Sequence, residues 1–442
     1  MTAIKKQACR TGCGIAWLFL LAVWLALPAV AAESRHSPGS RFPSYTGLVM
    51  CGYQGWFRAE GDGAGAGWQH FCRSRQFDVE KTTFELWPDV SEYAKTYPTP
   101  LKQRDGKPAC LFSSWDESTV ETHFRWMQEY GVDGVFMQRF FHITRTEDSR
   151  RQGRVVLANA LKSSRRHGRA IAVMYDLSGL RASGEDCSSV IQDWKELVDQ
   201  LKLTSQGPDQ TYLYHRGKPL VAIWGLGFSD RPYNLHNIGI ETLLKFLRHD
   251  PEYGGCSILL GVPAKFRTLD GDCLPDPYLH QLLAQADVVM PWMVGRYTSL
   301  DQKVFERYEK QVRADLAWCQ QRQLDYAPCV YPGFSWHNLS RNNRKDAKPP
   351  PMNQIPRQKG QFYWGLVAAA IKAGAPMLYV AMFDEIDEGT AIFKCASRQP
   401  FDDAPAKFLD YEGVPADYYL RLTGQAGTAL RSKNPDMKQL QP

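Results

Sequence analysis

Met377-Leu378-Tyr379-Val380-Ala381-Met382-Phe383-Asp384-Glu385-Ile386-Asp387-Glu388-Gly389-Thr390 is an apolar run that breaks into four carboxylates within five residues. The first half reads as a buried strand and the second as an acidic turn at its C-terminal end. Carboxylates crowded this closely raise one another's pKa and call for a cation, shared protons or chemistry. Read as the first turn of a helix, Glu385 and Glu388 stand three apart, share a face, and offer one acid and one base to a single substrate. The plainer reading is that the acids meet the helix dipole and do no chemistry.

Seven further apolar runs precede this one, at residues 47–53, 134–138, 170–175, 220–224, 257–262, 288–293 and 326–331. Helical patterns fill the gaps at 117–130, 155–167, 188–203, 240–248, 277–286, 303–322 and 361–373, with Val120, Phe124 and Met127 showing the core-facing spacing. Eight strands alternating with helices predict an α/β fold, a (β/α)8 TIM barrel, whose chemistry sits at the C-terminal ends of the strands. The acidic turn follows the eighth strand.

The other strand ends should then converge on the same mouth. Strand one runs into Tyr53, Gln54, Trp56 and Phe57, strand two into Gln138, Arg139 and Phe140, and strand three into Tyr175 and Asp176. Strand four ends at Trp224, strand six at Trp292 ahead of Arg296, and strand seven at Tyr331, followed by Trp336, His337 and Asn338. Aromatic faces stack on sugar rings while Arg, Gln and Asp read hydroxyls, so the set suits a carbohydrate cleft; the alternative is that each tryptophan caps the core. Long connections after strands one (58–116, carrying Trp68, His70, Trp87 and Trp115) and seven (332–360) are expected to wall the cleft. The Gly-rich tip at 60–67 lacks the Lys-Ser/Thr ending of a phosphate loop and reads as a turn.

Lys5, Lys6 and Arg10 precede an apolar stretch at 15–27 and the small residues Ala29-Val30-Ala31, which predicts a signal peptide over 1–31, a linker over 32–45, the catalytic barrel over 46–425 and a polar tail over 426–442. A secreted or periplasmic monomer is expected, with no membrane contact beyond export. Loss of the leader lowers the formal charge from +6 to +3, with both signs interspersed, so nucleic acid is not an expected partner. The basic clusters at Arg150, Arg151, Arg154 and at Arg165, Arg166, Arg169 read as solvated surface. Nine of the 11 cysteines lie beyond the leader; Cys72 and Cys110 share the first long loop and are placed to staple it. No spacing suggests zinc, and neither a metal nor a cofactor is expected.

Four segments resemble the bacterial glycoside hydrolase family 71/99-like proteins: Val49-Met50-Cys51-Gly52-Tyr53-Gln54-Gly55-Trp56-Phe57, Phe84-Glu85-Leu86-Trp87-Pro88-Asp89, Tyr331-Pro332-Gly333-Phe334-Ser335-Trp336-His337-Asn338, and 382–393. Family 99 contains endo-α-mannosidases on a (β/α)8 barrel with a Glu-Trp-His-Glu-Gly-Thr motif after the last strand. The resemblance places its two glutamates on Glu385 and Glu388 and implies that the first activates the sugar's own 2-hydroxyl while the second protonates the leaving oxygen. Here Ile386-Asp387 replaces Trp-His, which adds a charge; Asp384 and Asp387 are therefore expected to tune the pair's pKa.

The expected function is cleavage of glycosidic bonds in an oligo- or polysaccharide, with an α-mannoside as one candidate, by Glu385 as base and Glu388 as acid. Tyr53, Gln54, Trp56, Trp87, Arg139, Tyr175, Asp176, Trp224, Trp292, Arg296, Tyr331 and His337 are the expected substrate-binding residues. The alternatives are a carbohydrate-binding protein without catalysis and a polysaccharide lyase leaning on Arg139 and Arg296.

Overall fold

The computed structural model describes residues 2, 33–343, 348–401 and 407–441, and the expected signal peptide lies outside them. Eight parallel strands form the sheet: β1 (Val49–Tyr53), β2 (Gly134–Phe140), β3 (Ala170–Asp176), β4 (Lys218–Trp224), β5 (Ser257–Pro263), β6 (Val288–Trp292), β7 in two pieces (Asp325–Tyr326 and Cys329–Val330) and β8 (Leu378–Val380). β1 pairs with both β2 and β8. The first piece of β7 pairs with β6 and the second with β8, which closes the ring. Pro328 explains the break: it has no N–H to donate, so Ala327 donates to Val289 O, and Pro328 O accepts from Tyr379 N. This is the (β/α)8 barrel that the sequence predicts.

Among the described residues eight helices cover it, besides short loop helices at Phe141–Thr144 and His337–Asn343: α1 (Glu117–Tyr130), α2 (Glu147–His167), α3 (Ser188–Leu201), α4 (Ile240–His249), α5 (Tyr278–Leu283), α6 (Gln302–Gln320), α7 (Gln361–Ala373) and α8 (Tyr418–Ser432). α4 shows the logic: Ile240, Leu243, Leu244 and Leu247 fall on one buried face, each worth roughly 1.5–3 kcal/mol on burial. α2 begins earlier than its apolar pattern because Thr146 caps it, its hydroxyl accepting from Ser149 N at 3.1 Å.

Inside the barrel the strands come close at Gly52, where a Cβ would lie 2.3 Å from Met382 Sδ and 2.5 Å from the Tyr379 hydroxyl. Strand alternation then sets where the neighbouring side chains point. Gly52 faces the barrel axis, so Tyr53 faces the helices, where its hydroxyl meets His123 Nδ1 of α1 at 2.8 Å. Gln138 faces inward and bonds Tyr379 at 3.1 Å. Its neighbour Arg139 therefore faces α3, and its register partner Tyr175 does so with it.

Three expectations are corrected. Residues 35–41 are not a free linker: Arg35, Ser37 and Arg41 donate their N–H groups to Glu252 O, Thr204 O and Gln210 O at 2.8–3.0 Å. The final helix does not stop near residue 425, because Ala426, Ala429 and Leu430 continue its buried face. Beyond it, Leu440 N donates to Gln425 Oε1 at 2.8 Å and Met437 O accepts from Trp364 Nε1. Cys72 and Cys110 are both unbridged; the Cys72 thiol instead donates to Asp78 O.

The first long loop carries its own hairpin, Tyr97–Lys102 against Pro108–Leu111, and an aromatic core. Trp87 belongs to that core, in contact with Phe84, Phe401 and Phe408, and does not face the cleft. Arg150 and Arg154 are not fully solvated either, since both pair with Glu196 of α3.

Candidate active site

The mouth of the barrel is organised by Asp384. Its two carboxylate oxygens accept from Gln54 N at 2.7 Å and Gly55 N at 2.8 Å, which joins the exit of β8 to the exit of β1. Burial pushes its pKa up to about 7 against those two donors, so the group acts as a strut of the turn. The segment after it is a turn rather than the helical first turn that the spacing suggested: Glu385 O accepts from both Thr390 N and Ala391 N, and Gly389 takes a left-handed conformation against Ser335. Glu85 holds the outer side. Its carboxylate accepts from the Ser335 hydroxyl and from Asn338 N, and its own N–H donates to Ile386 O.

This turn delivers Glu385 and Glu388 into one cavity of about 280 Å³, with Asp176 from the end of β3 as a third carboxyl. Trp56, Trp224 and Trp292 supply aromatic wall, while Gln54, Gln138 and Arg231 supply polar groups. Glu385 is fixed from both sides: Gln54 Nε2 donates to Oε1 at 2.7 Å and Thr390 Oγ1 to Oε2 at 3.1 Å. Glu388 has no hydrogen bond to its carboxyl among the described residues and lines the cavity.

Burial, then the charge of Asp387, pushes Glu388 up to about 7, opposed by Arg231. Glu385 is pushed well above its ordinary value by burial and then by the charges of Glu388 and Asp387. The two act as a pair sharing protons. The donors to Glu385 oppose that rise, while nothing among the described residues donates to Glu388. Burial also raises Asp176, to about 6. Asp387 lies behind the pair, with Oδ2 3.4 Å from His70 Nδ1.

Of the expected binding residues, Gln54, Trp56, Asp176, Trp224 and Trp292 meet here. The others do not. Tyr53 is packed toward α1, and Tyr331 donates its hydroxyl to Tyr297 O in the core. Arg139 and Tyr175 both bond the buried Asp193. Arg296 is tied to Asp272 at 2.7 Å, and His337 Nδ1 lies 2.7 Å from Pro350 O, outside the cavity. Arg231, Ser178 and Met382 line the site without having been expected. Arg231 lies on the loop after β4, stacked over Trp224 at 5.4 Å; a lone cation seven residues past a barrel strand was its only signal.

Trp87→Ala should therefore cost about 3–5 kcal/mol of stability and leave oligosaccharide affinity unchanged. Trp292→Ala, at the half-buried cavity wall, should do the reverse. Denaturant melts and binding isotherms on both variants check this, and matching losses of affinity would return Trp87 to the cleft.

No family sequence model matches the chain, and no curated protein does at a significant level. Solved structures do. The endo-α-mannosidase of glycoside hydrolase family 99 from Bacteroides thetaiotaomicron superposes with a TM-score of 0.60 at 15% identity, over 88% of this chain and 99% of that one. The same enzyme in complex with bis-tris-propane gives 0.60 at 16%. The chain has the fold of that family 99 enzyme. A glycoside hydrolase-like protein also aligns, with a TM-score of 0.48 at 15% identity over 81% of this chain and 98% of its own. At these identities the likeness is one of fold; the chemistry must be argued from the cavity.

Proposed function

We propose that this protein is an exported glycoside hydrolase acting on an oligo- or polysaccharide at the barrel mouth, with Glu388 as proton donor and Glu385 as base. The observation that carries the reading is the asymmetric pair. Glu385 is clamped by two donors, and Glu388 stands unbonded in the cavity with its pKa pushed up to about 7. A base must be fixed and charged where a substrate hydroxyl arrives, and an acid must keep its proton until the leaving oxygen develops charge. Trp224 and Trp292 offer faces for sugar rings, and Asp176 and Arg231 are placed to read hydroxyls. The family 99 resemblance adds attack by the sugar's own 2-hydroxyl and makes an α-mannoside the first substrate to try.

A lyase is disfavoured because neither arginine it would lean on lines the reacting cavity: Arg139 is turned to Asp193 and Arg296 is paired with Asp272. Incubation of the purified protein with neutral and acidic polysaccharides, α-mannans included, should release new reducing ends without unsaturated products. Unsaturated ends would establish a lyase, and tight binding with no product would establish a carbohydrate-binding protein.

Asp387 gives the pH test. Its charge keeps Glu388 protonated, so Asp387→Asn should lower the pKa of Glu388 and move the basic limb of the rate profile to lower pH, by up to about one unit. A basic limb that stays in place or rises would show that the charge of Asp387 is spent on His70.

A further inference from the structure

A second cavity, of about 260 Å³, lies beside the first and shares Gln54, Trp56, Gln138 and Phe140 with it. That volume is far above the roughly 10–15 Å³ that one water needs. The partition between the two is a run of rings. Trp56 lies parallel to His70 at 3.9 Å and stacks on Phe140 at 4.9 Å. Behind the partition the cavity is floored by β2 and roofed by the first turns of α2.

The two cavities differ in charge. The first is lined by three carboxyls and one arginine, the second by Arg58 and Arg139, with His70 and His142, and by no carboxyl at all. Arg58, whose guanidinium lies over the Trp115 ring at 5.6 Å, is the one without an ion pair among the described residues. Its bonds run from Nη1 to Gly55 O at 3.0 Å and Phe57 O at 3.1 Å, which leaves Nε and Nη2 without hydrogen-bond partners among those residues. Asp62, the acid that acts on it, already accepts from Ala59 N, Ala64 N and the Ser113 hydroxyl. Burial lowers the Arg58 pKa to about 10 against the opposing charge of Asp62.

Arg139 supplies the built half of the site. It is 2% exposed, and Nε and Nη2 are held by Asp193 at 2.8 and 2.5 Å. Nη1 has no partner among the described residues and lies by Gly153 of the cavity roof, where a Cβ would sit 3.2 Å from it. A fixed, buried guanidinium with one unused nitrogen and a second with no ion pair among the described residues make a receptor for a negative group.

We propose that this second cavity seats an anionic substituent of the glycan, a uronic carboxylate or a sulfate ester, whose sugar chain runs past the Trp56 partition into the reacting cavity. The inference rests on the glycosidase reading for its orientation, but its chemistry is that of the basic cavity alone. The shared lining sets the two chambers side by side, so a ligand that reaches round Trp56 meets both, and the separation by rings keeps the anion away from Glu385 and Glu388, which it would otherwise repel.

The test is direct binding, independent of turnover. Wild-type protein is applied to immobilised neutral, uronate-bearing and sulfated oligosaccharides. Acidic glycans should be retained roughly tenfold or more tightly than their neutral counterparts, the scale of one charge-assisted hydrogen bond, and the uronate and sulfate arms decide which anion is read. Arg58→Gln should abolish the preference. Gln152→Glu, which places a negative charge at the exposed rim of the cavity, should weaken it and covers the case in which the Arg58 variant fails to fold. Arg322→Gln, the same change of charge at the other end of the barrel on Trp318, should keep it. Equal retention of neutral glycans overturns the proposal, as does a preference that survives both cavity variants or falls equally in the Arg322 variant. Acid-selective binding by a protein that hydrolyses nothing would instead retire the glycosidase reading and leave this one standing.

Discussion

Glu388→Gln is expected to lower turnover of an unactivated glycoside by roughly 10²–10⁴-fold, the range over which a positioned general acid acts. The carboxyl has no bond to lose among the described residues, so folding should be little disturbed. Aryl glycosides with good leaving groups need no proton at the oxygen and should suffer less. Glu385→Gln should damage both substrate types alike, because activation of the attacking hydroxyl is required whatever leaves. Rates of the two variants on a natural and an activated substrate decide the roles. Equal losses for Glu388→Gln on both substrates would remove it as the acid, and wild-type turnover by either folded variant would reject the pair.

The second large effect is on stability. Asp193→Ala would strand the Arg139 guanidinium at 2% exposure with no counterion and would free the Tyr175 hydroxyl. Breaking one partner of a buried pair in this way costs about 3–5 kcal/mol. Urea unfolding should show the loss as a lower midpoint with unchanged slope. Turnover at a permissive temperature should change far less than in the glutamate variants, since Asp193 lies on α3, bonded to Arg139, and does not line the reacting cavity. A cost under about 1 kcal/mol would place the pair in solvent-like surroundings.

The contrast between these residues shows which features local chemistry reveals. Gln138 and Arg139 are adjacent at one strand end, and both are polar residues of the kind that reads a sugar. Strand alternation sends them to opposite sides, Gln138 to Tyr379 on the barrel axis and Arg139 to Asp193 on a helix. The sequence alone does not set that phase, because Val135, Phe136 and Met137, which lead up to the pair, are apolar on both faces and carry no alternating pattern. Trp87 and Trp292 are likewise indistinguishable as letters. One packs on Phe401 and Phe408, some three hundred residues away along the chain; the other stands over the acids.

The sequence by itself determined the eight-fold alternation, since each strand and helix declares itself by the period of its apolar residues. It also placed the acid pair after the last strand, because four carboxylates at a strand end are a local fact. Only the tertiary structure decided which strand-end side chains face the mouth. It alone brought Arg231 and Asp176 to Glu388, and it alone divided the basic cavity from the acidic one. These are products of register and of contacts between distant segments, which no window of the chain contains.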